Sequence, residues 1–219
     1  MTLVKWIVCQ VREEQRAAFD VAQRQWGRLA NAPGFRGQIG GWDHADPTQA
    51  CILALWEDER AYRHFMDKLH DEIADQNAQA HTYNAIQVSM AESLLPMPGR
   101  YPTLAAALAN GTILRVADCA VRDDRVDHFT TVQAQVWLPA MAASAGMLGG
   151  AFSRQQTEHL RYLVTTLWDT PANHEHYAAT SVPLLREQAD VTSDLASLCA
   201  YCVMLVAQWT ILPDARHRE

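Results

Sequence analysis

Several common signals are missing from this chain. No apolar run reaches the roughly 18–20 residues a membrane span requires. The opening "MTLVKWIVCQVREE" passes from a short apolar stretch straight into charge, without a basic region or a small-residue cleavage site, so no secretory leader is expected. Clusters of Lys and Arg are absent too: 18 basic residues face 25 acidic ones for a net charge of −7, which argues against a phosphate backbone as partner. No P-loop, dinucleotide fingerprint or GxSxG elbow occurs. Cysteine is sparse and odd in number, with Cys9, Cys51, Cys119, Cys199 and Cys202, as suits reduced thiols rather than a disulfide framework. The expectation is a cytoplasmic protein without a nucleic-acid or membrane partner.

What is present is enough apolar material for a core, 49% of 219 residues, and a repeat. "CQVREEQRAAF" at Cys9–Phe19 returns as "CAVRDDRVDHF" at Cys119–Phe129, 110 residues later. Further on, Gly34 and Gly37 meet Gly146 and Gly149, Leu55-Trp56 meets Leu167-Trp168, His64 meets His176 and Phe65 meets Tyr177, all at an offset of 112. A two-residue insertion between helix and strand accounts for the change. Two copies are too few for a solenoid, so the pattern reads as a duplicated compact unit.

Each copy carries the same element order. "LVKWIVCQV" has the β-branched and aromatic content of a strand. "REEQRAAFDVAQRQWGRLAN" then places Phe19, Ala22, Trp26, Leu29 and Ala30 at helical spacing, with acidic residues in the first turn where the macrodipole favours them. The helix ends at "NAPG". "FRGQIGGW" and "ACILALW" follow as strands around a turn-rich segment. A second helix, "DERAYRHFMDKLHDEIADQ", has Asp58 as N-cap and Tyr62, Phe65, Met66, Leu69 and Ile73 on one face, and "YNAIQVSMAESLL" closes the unit. The expected domains are residues 1–95 and 111–212, with a Pro- and Gly-bearing linker at 96–110 and a polar tail at 213–219.

A βαββαβ order is the ferredoxin-like arrangement, whose antiparallel sheet carries helices on one face only. Its other face must also be buried. The fold class expected is therefore α+β, with the two units closing an intramolecular pseudo-dimeric α/β barrel of about eight strands. A monomer suffices for that closure, and further association stays open.

These residues resemble the dimeric α/β-barrel group that includes the antibiotic-biosynthesis monooxygenases. "GQIGGW", "LWEDERAYRHFM" and "LHDEI" also resemble an uncharacterised bacterial family, the YdbC-like proteins, from Val4 to about Ile73. In the monooxygenase group a strand-ending Trp is followed by a helix bearing one or two His; Trp56 and His70 match that pattern, while the earlier His position is Phe65 here. Haem-degrading relatives use an Asn, a Trp and a further His. This chain offers Cys9 or Gln10, Phe65 and Asp75 at those places, so the resemblance does not imply haem degradation, and the proximal His of chlorite dismutases has no identified counterpart.

His70 is the candidate proton carrier, one turn after Met66 at the semi-buried edge of its helix, because an imidazole can serve as general acid or base. The alternative is an imidazole capping the helix–sheet interface or facing solvent. His64 and His176, though repeated, fall off the apolar face and read as solvated. Trp26, Trp42 and Trp56 read as core or as pocket wall. Gln38 alternates with Gly40 and Trp42 on one side of a strand; an amide facing a barrel interior needs a partner, which a ligand, a water or the backbone would supply. Cys199 and Cys202 have CxxC spacing but sit on a strand without a second ligand pair, so packing is expected. His174 and His176, two apart on a helix, diverge and make a poor metal site.

Three functions remain in play. One is a cofactor-independent monooxygenase-like enzyme acting on an aromatic or phenolic substrate, with His70 catalytic and Trp26, Gln38, Trp42 and Trp56 binding. The others are a non-catalytic small-molecule binding or stress-related module, and a protein-interaction module with a filled barrel. No cofactor or metal is expected. The copies differ where function would lie: "GQIGGW" and His70 in the first, "MLGGAF" and Val182 in the second.

Overall fold

The computed structural model describes residues 1–214; the end of the expected polar tail, 215–219, lies outside the described residues. β1 (Leu3–Gln10) stops at the charged turn, and the acidic residues Glu13 and Glu14 lead into α1 (Arg16–Gln23), which buries Phe19 and Ala22. Instead of continuing as one α-helix, the chain tightens into 3-10 turns over Arg24–Asn31. β2 (Phe35–Asp43) and β3 (Gln49–Trp56) follow. Asp58 caps the next helix as expected, its Oδ1 accepting the Ala61 N–H at 2.8 Å. That helix is not uniform: α2 (Glu59–Phe65) widens into a π turn over Met66–His70 before resuming as α3 (Asp71–Asn77). β4 (Ala85–Pro98) completes the βαββαβ order, and a short α4 (Leu104–Ala107) follows it.

The second copy runs through β5 (Ile113–Val121), α5 (Val126–Val132), α6 (Leu138–Ala142), β6 (Met147–Gln155) and β7 (Arg161–Trp168). Thr170 then caps α7 (Pro171–Thr180), and α8 (Val182–Gln188), α9 (Val191–Asp194) and β8 (Leu195–Leu205) close the copy.

Strand registers show the duplication within each copy. Leu3 faces Trp56 and Cys9 faces Ala50 in the first; Ile113 faces Trp168 and Cys119 faces Tyr162 in the second. Both second strands carry a bulge at the same step, between Phe35 and Gly37 and between Met147 and Gly149. The turns before them use a left-handed glycine, Gly34 at φ 73° and Gly146 at φ 81°, a region other L-residues enter at a cost. Ala78 and Asp190, also equivalent, are left-handed as well and terminate the second helical stretch of each copy.

The compact units are not simply the two copies. One consists of Met1–Met90 with the chain from Val203 onward, the other of Ala91–Cys202. Within the first, β2 pairs with the end of β8 through Gly41–Leu205 and Asp43–Val203; within the second, the end of β4 pairs with β6 from Ala91–Gln155 to Pro98–Gly149. Thus the last strand of each copy is divided between units, and the hydrogen-bonded order β1-β3-β2-β8-β5-β7-β6-β4 closes on itself. The fold is the α+β pseudo-dimeric barrel. In the first unit one face of the sheet carries Leu3, Ala54 and Trp56 beneath Leu29, Phe65 and Ile73 of the helical layer. Val4, Trp6, Ile39, Leu53 and Leu55 on the other face are buried as well.

Candidate functional site

In the first unit the layer of helices does not seal against the sheet. A cavity of about 400 Å³ lies between them, floored by Lys5, Ile7 and Cys9 of β1, Gln38 of β2 and Ile52, Ala54 and Trp56 of β3, and roofed by Trp26, Leu29, Tyr62, Phe65, Met66, His70, Ala74 and Asn77. Alternation along the paired strands aims these floor residues at the helical side. Ile86 and Val88 of β4 also line the space and are half exposed.

Trp26, Gln38, Trp56 and His70 therefore meet around one space. Trp42 does not line it. Trp42 shares the face of Gln38, but the Trp209 ring lies between them over Gly40, where an added Cβ would come within 3.1 Å of it. Trp42 packs instead against Trp209 at 5.4 Å and Phe19 at 5.8 Å, with the Arg16 guanidinium 4.1 Å above its ring. Trp209 donates to Asp20 at 2.7 Å. Sequence alternation did group Gln38 and Trp42 on one side of the strand but could not show this intervening ring, which arrives from far along the chain.

Gln38 also faces differently from expectation. It points toward the helices rather than into a barrel interior, because the bulge at Arg36 shifts the alternation by one and puts Phe35 and Gln38 on the same face as Trp56 and Ala54. Its backbone is fixed by a reciprocal pair with Ile211, at 2.8 and 2.9 Å.

His70 ends the π turn, a widening of the helix that often marks functional positions. Its side chain is 26% exposed, and Nδ1 lies 2.8 Å from Oδ1 of the exposed Asp71. Phe65 and Trp26 flank the ring, both with centroids at 5.7 Å. When Nδ1–H donates to Asp71, Nε2 is the nitrogen free to accept a proton. Trp26 is held in turn by a chain of side chains: its Nε1 donates to Gln79 at 2.6 Å, and Gln79 donates to Gln23 at 2.7 Å.

Sequence reasoning missed Lys5 and Asn77. Lys5 stands at a floor position among Leu3, Ile7 and Cys9, a lone cation in an alternating apolar run, which is the signal that marks it. Burial pushes its ammonium down to about 8, and its Nζ sits 4.9 Å from the Tyr62 ring centre. Asn77 is buried at the end of α3, and its Oδ1 accepts the Gln79 N–H at 3.0 Å. Cys9 also touches the cavity, but burial drives its thiol up to about 12, leaving it protonated and a weak nucleophile.

His64 and His176 are exposed at equivalent points. His174 is buried against Trp168, ring centroids 5.6 Å apart, with Cys202 Sγ 3.8 Å from its Nδ1. No cluster of three or more His, Cys, Asp or Glu suited to a metal occurs among the described residues. In the second unit the corresponding space is smaller, about 150 Å³, and has Val182 where the first has His70.

Comparisons with known proteins give the same outline. The model of a family described as "Domain of unknown function (DUF4937)" matches residues 3–91. Over 96 residues the chain is 38% identical to the uncharacterised protein YdbC of Bacillus subtilis (strain 168), spanning 43% of this chain and 81% of that one. Among solved structures, a candidate monooxygenase from Lactobacillus acidophilus NCFM is similar over 97% of this chain and 99% of its own, with a TM-score of 0.69 at 14% identity. A second candidate monooxygenase, from Fusobacterium nucleatum subsp. nucleatum ATCC 25586, matches over 93% and 92% with a TM-score of 0.74 at 10% identity. An anthrone oxidase-like protein matches over 94% and 91% with a TM-score of 0.68 at 11% identity. At such identities the structural likeness is one of fold.

Proposed function

Because the chain belongs to the family of YdbC, with the DUF4937 model matching residues 3–91, in a fold it shares with monooxygenase-like proteins, we propose that it is a cofactor-independent monooxygenase-like enzyme. It takes an aromatic or phenolic substrate into the cavity of the first unit. The observation that carries this reading is the placement of His70 on an apolar, aromatic-walled cavity with its Nδ1 already engaged by Asp71. A general base needs such an orienting partner and a reach to the reacting proton. Trp26, Gln38 and Trp56 wall the substrate, and Trp42 supports the site from the neighbouring aromatic cluster.

In this mechanism His70 Nε2 takes the acidic proton of an activated ring carbon, and the resulting carbanion, delocalised onto the ring oxygen, reacts with dioxygen. For an anthrone the balance is a ring CH2 plus O2 giving a ring C=O plus water; the substrate supplies all the electrons. The test is oxygen uptake and quinone absorbance with 1,8-dihydroxyanthrone under air. His70-dependent turnover is the expected result. Tight binding without oxygen uptake would replace this reading with the non-catalytic binding module.

A further inference from the structure

Buried polar atoms without a partner in the first unit's cavity are all donors. Gln38 Nε2, Trp56 Nε1 and Asn77 Nδ2 have no hydrogen-bond acceptor among the described residues, and each of these residues lines the same space. Trp56 can only donate. The amide of Asn77 is oriented by the Gln79 N–H on its oxygen, so its nitrogen is the end left over. Lys5 adds three more donors and no acceptor, and its Nζ makes no hydrogen bond or ion pair among the described residues, only the contact with the Tyr62 face. Among the described residues no Asp or Glu lines the cavity, in a chain whose net charge is −7 and which has only two lysines, Lys5 and Lys68.

An apolar chamber with unpaired N–H groups and one uncompensated cation is mismatched to a hydrocarbon, because every donor would stay dry at a cost. It matches a ligand that brings acceptors and a negative charge. We propose that the cavity selects a flat apolar acid, an aromatic carboxylate or phenolate, with Lys5 as its counter-ion and Gln38, Trp56 and Asn77 donating to its oxygens. This rests on the cavity being the binding site, as in the reading above, but not on any turnover there. The specificity comes from the unpaired donors, which discriminate against a neutral isostere as strongly as they favour the anion.

The experiment compares 2-naphthoate with 2-naphthylmethanol, the same ring system without the charge, by quenching of tryptophan fluorescence in the full chain. The wild type should bind 2-naphthoate at least 10-fold more tightly. Lys5→Met should abolish that preference while leaving the affinity for the alcohol within about 3-fold. Lys5→Gln, which keeps length and a donor, gives the same reading should the methionine variant fold poorly. Equal affinities in the wild type, or a Lys5 substitution that weakens both ligands alike, would overturn the counter-ion role and leave the cavity as the binding site. Failure of both compounds to bind the folded wild type would overturn both.

Discussion

Trp56 stacks on Phe65 with ring centroids 4.9 Å apart and planes at 30°, and in the second copy Trp168 stacks on Tyr177 with the same separation and the same angle. The pair ties the last residue of a strand to the helix that follows it. The first copy adds a second requirement, since the same indole also walls the cavity and keeps an unpaired N–H.

Substitutions at Trp56 should separate these duties. Trp56→Ala removes a fully buried ring that touches Phe35, Tyr62 and Phe65, and a loss of about 3–5 kcal/mol is expected in urea denaturation. Trp56→Phe keeps most of the packing and deletes an unsatisfied donor. Its stability should stay within about 1 kcal/mol of the wild type, while binding of an acceptor-bearing ligand weakens.

His70→Ala should cost about 1 kcal/mol or less, because the side chain is partly exposed and its ion-pair partner is fully solvated. Oxygen uptake with 1,8-dihydroxyanthrone should fall to background. Retained turnover in this variant would remove His70 from the mechanism.

Lys5 links stability to pH with a definite sign. Its pKa falls from 10.5 to about 8 in the folded chain, so between those values the unfolded chain binds more protons and stability contributed by this group rises with pH. The burial cost is therefore present in full below about pH 8. Lys5→Met should be more stable than the wild type at pH 7, and the gap should close as pH approaches 10. Urea midpoints across that range measure it.

Gly34→Ala and Gly146→Ala test the turn that both copies share. A Cβ at Gly34 would lie 2.5 Å from that of Ala61, and one at Gly146 would lie 2.3 Å from Asp169 Oδ1. The left-handed backbone adds its own penalty of about 1–2 kcal/mol. Each variant should lose more than 1 kcal/mol by thermal or chemical denaturation, and a neutral outcome at either site would contradict the described turn.

The second unit offers a charge prediction. Asp194 is fully buried and accepts from Arg125 Nε at 2.8 Å and meets His128 Nδ1 at 2.8 Å. Asp194→Asn strips the compensating charge and should cost about 3 kcal/mol. Arg12→Ala is the contrast: its partner Glu14 is 3.9 Å away and both are exposed, so the change should be within about 0.5 kcal/mol.

The duplication, the βαββαβ order of each copy and the cap at Asp58 are legible in the amino-acid sequence alone. These depend on local chemistry, namely alternation, helical spacing and short side chains able to accept a backbone N–H. It also brought out Gln38 and His70, because polar residues that differ between copies stand out against residues the shared fold keeps, and Trp26 and Trp56 as aromatics at helix and strand spacing. Tertiary structure decided the rest. The face of Gln38 depended on a one-residue bulge, and the exclusion of Trp42 on a ring supplied by Trp209 from 167 residues away. Lys5 was visible as a single letter in an apolar strand, but its unpaired state exists only once the sheet and helices have enclosed it, since desolvation is a property of the assembled cavity and not of the chain.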